Sequence, residues 1–448
     1  MTPEEYARLD ALLRVPSISA MPEHAGDMAA AAEMVADEIR RAGGEAEVRA
    51  TSGHPLVLGE VPASDGFPDA PRVLLYGHYD VQPPGDPELW TSPAFEPTVR
   101  DGNLYARGAS DDKGNMFMLV AAVQRLAAAG ELPVRAAFVI EGEEECGGTS
   151  ALEHFAADPG PAIGAIIFDS HMIGPGQPTI CTGVRGMVFR RIHVRTAGVD
   201  GHSGLYGGAA LNAAHALLRI LDAVTPHDGR LPDALYAGLA PAGAEEVAAW
   251  DLLPSGAEAL ATAGLRPADP GAAEGFYMRT LASPSLDVHG IVLGEPNAVK
   301  TIVPSEATAM LSLRLAPGQD GDAMAAVLDD LLRAAAPPGA ELTIEDKGVA
   351  QPAALDPSDP VLTAAADGIA EATGWTPVPV RIGGTLPVVA VLVGRGIPTV
   401  LTGFGMPTDR IHAPDEHLRH EHLEIGTRAA MGILRALGGI REAAPPVG

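Results

Sequence analysis

Apolar residues recur at helical spacing over residues 4–14 and 26–42, so both stretches are predicted as helices. Short β-branched and apolar runs follow at 72–77, 134–140, 165–168 and 398–401, each cut off by glycine or polar residues. Helical spacing returns between them, for example at 114–129. Strands alternating with helices predict an α/β domain on a mostly parallel central sheet flanked by helices. From about 186 to 350 the pattern changes. Residues 187–194 and 309–315 alternate like half-exposed strands, with helical patterns at 208–224 and 320–335. An inserted α+β unit of ferredoxin-like type would read this way. The stretch 227–285, rich in Ala, Gly and Pro, shows no legible period, and the tail from Glu442 is read as frayed.

Composition narrows the function. With 448 residues the chain is long for a single core, and two domains are expected. The net charge of −28 argues against a nucleic-acid partner, because phosphate binding needs a basic face. Two cysteines, Cys146 and Cys181, make neither a disulfide scaffold nor a thiolate zinc site. The first residues are polar and amphipathic, unlike a secretory signal, and apolar runs such as 387–393 are too short to span a bilayer. A cytoplasmic enzyme with no membrane partner is the expectation. No Gly-rich loop follows the first strand with nucleotide-binding spacing.

Acidic residues and histidines fall at the strand ends. Tyr76-Gly-His78-Tyr-Asp80 closes the first run, Glu141-Gly-Glu-Glu144-Glu145 the second, and Asp169-Ser-His171 the third. Open α/β sheets bind ligands beyond the carboxyl ends of their strands. Arg107-Gly-Ala-Ser-Asp111-Asp112-Lys-Gly114 precedes a helix, and Arg410-Ile-His412-Ala-Pro-Asp415-Glu416 follows the last run. Each set alone has a plain explanation as a loop histidine, a helix cap or a solvated acidic run. Together they place imidazole and carboxylate, without thiolate, on one edge, which suits zinc and also manganese or cobalt. Two cations sharing a carboxylate can hold a bridging water and acidify it, with a nearby glutamate as general base.

Gly77-His-Tyr-Asp-Val-Gln-Pro83, the 107–114 and 141–147 motifs, and Asp200-Gly-His-Ser-Gly-Leu-Tyr-Gly207 resemble the carnosinase and cytosolic non-specific dipeptidase branch of the di-zinc aminoacylase and carboxypeptidase family. The resemblance runs from about 5 to 440. It implies a zinc-peptidase-like catalytic domain at 1–183 and 352–448, with a lid and dimerisation domain at 184–351. It implies His78, Asp111 and Asp169 on one metal, and Asp111, Glu145 and His412 on the other, with a cis peptide after Asp111. Glu144 matches the general base and Asp80 the carboxylate that orients His78. His202 matches an oxyanion-stabilising residue that reaches the site from the partner subunit. Arg314, Gly384 and Thr385 match contacts to the substrate's terminal carboxylate. The implied protein is a homodimeric dipeptidase with two zinc ions per chain. Its rivals are an N-acyl amino-acid deacylase with the same metals and a non-catalytic binding protein.

Plainer readings stand beside some of these. His202 could cap a helix, and Arg314 could face solvent. His171, His417, His420 and His422 read as surface residues, Lys113 as support for the Asp111 loop, and Cys146 as a small buried filler.

Overall fold

The computed structural model describes residues 1–157, 160–294 and 300–440; the tail read as frayed from Glu442 lies outside them. The chain divides into two compact units, one of Met1–Thr182, Leu355–Val380 and Val391–Gly448, the other of Gly183–Ala354 and Arg381–Ala390.

The first unit is built on a six-stranded sheet in the order Glu45–Arg49, Leu56–Val61, Arg135–Glu141, Arg72–His78, Gly164–Phe168, Thr399–Thr402. The last four are mutually parallel, while Leu56–Val61 runs antiparallel to Arg135–Glu141. Strands buried on both faces need continuous apolar runs, and Val73, Leu74, Leu75, Tyr76, Ile166, Ile167 and Val400 are all buried. Burying each such Val, Leu or Ile contributes roughly 1.5–3 kcal/mol. Register brings the strand ends level: His78 pairs with Glu141, and Tyr76 with Ile167, two residues before Asp169.

Helices cover this sheet. Lys113–Ala128 is buried along most of its length, which explains why its sequence is apolar nearly all round. Pro3–Leu13 opens with a reciprocal cap: Thr2 Oγ1 accepts the Glu5 N–H at 3.2 Å and Glu5 Oε2 accepts the Thr2 N–H at 2.7 Å. Arg125 then donates to Glu5 at 2.7 Å and to Glu424 at 2.8 Å, joining three helices.

The second unit holds a four-stranded antiparallel sheet in the order Ser285–Val292, Glu306–Leu315, Gly186–Arg195, Glu341–Ala350. Helix Ala213–Asp222 follows its first strand and helix Gly321–Ala335 its third, giving the β-α-β-β-α-β order of ferredoxin-like units. Val188, Ile192 and Val194 alternate inward to join Leu217, Ile220, Leu328 and Leu332 in one core. Arg190 shares that face and is buried, paired with Asp329 at 3.0 Å and Asp346 at 2.6 Å.

Two expectations need correction. The helix read from 208 begins at Ala213, because Asn212 caps it and accepts the Ala214 and His215 N–H groups. Residues 381–390, assigned from sequence to the catalytic domain, belong to the second unit. Buried Arg381 holds them there, donating to the Ala240 and Pro241 carbonyls at 3.2 Å each and pairing with Glu246. Partners some 140 residues away leave no periodic trace in the sequence. The unreadable stretch 227–285 forms a series of short helices, such as Ala244–Ala249, Gly256–Thr262 and Phe276–Leu281.

Candidate metal centre

The level strand ends of the first unit deliver His78 directly, Glu144 and Glu145 on a one-turn 3-10 helix after Glu141, and Asp169 just after Phe168. Asp111 comes from the turn that leads into helix Lys113–Ala128, and His412 from the loop after Thr402. Candidate ligand atoms of His78, Asp111 and Asp169 lie within 4.8 Å of one another, and so do those of Asp111, Glu145 and His412. Asp111 belongs to both groups. Its Oδ1 faces His78 Nε2 at 3.2 Å and its Oδ2 faces His412 Nε2 at 2.9 Å. His412 Nε2 also lies 3.1 Å from Glu145 Oε2.

His78 is fully buried, and its Nδ1 lies 3.1 Å from the Asp80 carbonyl and 3.4 Å from Asp80 Oδ1. That contact turns Nε2 toward Asp111. Asp80 does a second job: its carboxylate accepts the backbone N–H groups of Glu144 at 3.3 Å and Glu145 at 3.1 Å. One buried side chain thus orients the histidine on one strand and the glutamate pair after the next.

The electrostatics call for cations. Burial raises Glu144 to about 8, with Asp169, Glu145 and Asp111 adding to the effect and His78 opposing it. Burial likewise pushes Asp169 up to about 7, with Asp111 and Glu145 adding to it. His412 is lifted to about 10 by its bonds to Asp111 and Glu145. Burial alone would lower His78, but hydrogen bonds to Asp111 and Asp80 carry it well above the usual imidazole range. Burial and mutual repulsion thus disfavour so many carboxylate charges in one place, a cost that bound cations would relieve. Glu145 Oε1 is moreover buried with no hydrogen-bond partner among the described residues. This donor set, harder than thiolate and with an unsatisfied buried oxygen, fits divalent metal ions, and Asp111 is common to both ligand groups.

Local sequence makes room for the arrangement. A Cβ on Gly77 would come within 2.9 Å of Asp112 Oδ2, the atom that accepts the His78 N–H at 3.2 Å. A Cβ on Gly114 would lie 2.0 Å from the Ala109 carbonyl oxygen, so the turn bearing Asp111 closes only over glycine. The Asp111–Asp112 peptide is cis, as the resemblance implied. The His412 loop holds Arg410, His412 and Asp415 at φ of 57°, 59° and 60°. Left-handed non-glycine residues cost of order 1 kcal/mol each and persist where the surroundings enforce them.

Lys113 is buried and donates to the Leu12 and Val15 carbonyls at 3.1 and 2.7 Å, tying the Asp111 turn to the end of the first helix. Two readings fail. Cys146 is exposed rather than a buried filler, because it closes the one-turn helix ahead of Gly147. His422 is buried rather than superficial, its Nδ1 bonded to the Phe404 carbonyl at 2.7 Å. Sequence reasoning also passed over Gln82, whose amide donates to Glu145 Oε2 at 2.9 Å, and Glu416, which is taken up below. Gln82 stands two residues beyond Asp80 inside the quoted motif, the one signal that could have found it.

In the second unit, exposed His202 caps the short helix Ser203–Tyr206, its Nδ1 accepting the Gly204 N–H at 3.0 Å. A neutral ring with Nδ1 accepting carries its proton on Nε2, which is left to donate. Arg314 does not simply face solvent: Nη1 donates to Thr385 Oγ1 at 2.8 Å, and the adjacent Gly384 carbonyl accepts the Arg185 N–H at 3.1 Å.

Comparison with known proteins matches residues 74–436 to the model for peptidase family M20/M25/M40. A cysteinylglycine-S-conjugate dipeptidase of Corynebacterium striatum is 30% identical over 442 residues, covering 94% of this chain and 92% of that protein. Among solved structures, an M20 family metallo-carboxypeptidase from Sulfolobus solfataricus superposes with a TM-score of 0.86 at 25% identity, covering 98% of this chain and 100% of that one. The di-peptidase Dug1p from Saccharomyces cerevisiae gives 0.80 at 22% identity, covering 98% and 97%, a likeness of fold.

Proposed function

The chain belongs to peptidase family M20/M25/M40, and from that premise we propose that it hydrolyses the amide bond of dipeptides with two divalent metal ions, zinc first among them. The observation that carries this reading is the split environment of Asp111, one oxygen toward each imidazole, with Glu144 near enough to feel the charges of Asp111, Asp169 and His78. His78, Asp111 and Asp169 would hold one ion, and Asp111, Glu145 and His412 the other. When bound, the ions supply Lewis-acid polarisation of the scissile carbonyl and acidify the attacking water.

The chain's own groups do the rest. Glu144 takes the proton of the attacking water and returns it to the leaving amine. Its backbone N–H and that of the neighbouring Glu145 are both held by Asp80, which seats the pair together. To Arg314 with Thr385 and Gly384 we assign the substrate's terminal carboxylate, and to His202 Nε2 the developing oxyanion. The second unit, Gly183–Ala354 with Arg381–Ala390, would serve as lid and dimerisation domain in a homodimer. Among the described residues no helix is long and apolar enough to cross a membrane.

The name of the C. striatum relative, a cysteinylglycine-S-conjugate dipeptidase, supports a dipeptide substrate. The test is a panel of dipeptides, among them Cys-Gly and β-Ala-His, set against N-acetyl and N-succinyl amino acids. Free dipeptides should be cleaved at least about tenfold faster in kcat/KM, the effect of one contact to the free amine that the N-acyl compounds lack, worth about 1.4 kcal/mol. Preference for the N-acyl substrates would replace the dipeptidase reading with a deacylase.

A further inference from the structure

One carboxylate outside the two ligand groups holds the loops that carry them. Glu416 is fully buried. Its Oε1 accepts three backbone N–H groups in succession around the turn, from Gly108 at 3.1 Å, Ser110 at 3.0 Å and Asp111 itself at 3.1 Å. Its Oε2 accepts from the buried Arg107 guanidinium at 2.6 Å, and its carbonyl accepts the Ala106 N–H at 3.2 Å. The turn that presents Asp111 is therefore wrapped around a single oxygen.

Glu416 stands four residues beyond His412. The loop that carries both, residues 409–416, is fastened at other points as well. Asp409 Oδ2 accepts from Ser110 Oγ at 2.9 Å, and Asp415 accepts the Thr91 N–H and hydroxyl at 2.8 and 2.7 Å. Its left-handed residues at 410, 412 and 415 need such anchors to persist. The Asp111 turn and the His412 loop are thus coupled through one side chain, at the two residues whose side chains meet at 2.9 Å.

We infer that Glu416 is a positioning residue: it fixes Asp111 relative to His412 before any metal arrives, and so sets the divalent-cation affinity of the centre. The inference rests on the metal-ligand reading of Asp111 and His412. Glutamine has the same shape but cannot do both jobs. Its carbonyl can receive either the three N–H groups or Arg107, and its amide then points at donors on the other side. Arg107 would lose its charged partner in a buried site.

The probe is cobalt(II), titrated into metal-free protein well below its melting temperature, with affinity and the visible absorption of the bound ion as readouts. Glu416→Gln should bind cobalt about 10- to 100-fold more weakly, the usual consequence of losing a group that orients ligands, with an altered visible spectrum and an unchanged far-ultraviolet circular dichroism. Cobalt affinity within twofold of wild type, with only the melting temperature lowered, would reduce Glu416 to a structural role and overturn the inference. If wild type itself binds no cobalt, the metal reading falls and this inference with it; if wild type binds and the variant binds equally, this inference alone falls. Should the variant not fold, amide hydrogen exchange on metal-free wild type decides. Residues 108–111 should be protected without metal, and exchange at the rate of an open loop would contradict a preformed clamp.

Discussion

Glu144→Gln is expected to lower kcat for dipeptide hydrolysis by roughly 10³-fold, about 4 kcal/mol of transition-state stabilisation, while the metal content stays at the wild-type level. The substitution keeps the side chain's shape and removes only its capacity to take a proton. The Asp80 bonds that seat this segment run to the backbone N–H groups of Glu144 and Glu145, so they survive the change. Metal analysis of the purified variant beside steady-state kinetics separates the two effects. Losing metal and turnover together would make Glu144 a ligand rather than a base.

Asp111→Asn should be the more damaging change to the centre itself. Asp111 alone belongs to both ligand groups, and each of its oxygens meets a different histidine. An amide offers one neutral oxygen where a bridging carboxylate offers two charged ones. Metal affinity should therefore fall by more than the roughly 10- to 100-fold that losing an outer supporting contact costs, and hydrolysis should fall with it. A thermal-shift titration reads this without an activity assay. Wild type should gain about 2.7 kcal/mol of stability at a free metal concentration 100 times its dissociation constant, and the variant at that concentration should gain little. An equal gain in both would remove Asp111 from the centre.

The parts of this picture legible in the sequence share a cause. Buried parallel strands must be apolar throughout, so the runs that end at His78, Glu141 and Phe168 announced themselves, and chemistry-bearing residues just past them fell on one edge. The motif glycines Gly77 and Gly114 were visible as residues, while their reason, backbone and carboxylate atoms packed where a Cβ would stand, needed coordinates. Long-range polar contacts left no period to read. Arg381 reaching residues 240, 241 and 246, and Glu416 reaching 108–111, join segments between 135 and 308 positions apart. The histidines at 417–422 illustrate the converse: a run of polar letters looked like surface, but His422 lies on the inner side of helix His420–Leu437, where it meets the Phe404 carbonyl.

The most direct measurement of the central claim is metal content and dipeptide hydrolysis on the same wild-type sample, before chelation, after chelation, and after zinc or manganese is returned. The expected result is about two divalent ions per chain, the count of ligand groups that share Asp111, with cleavage lost on chelation and restored on reconstitution. Cleavage that persists in metal-free protein, or a reconstituted chain that holds no divalent ion, would contradict it.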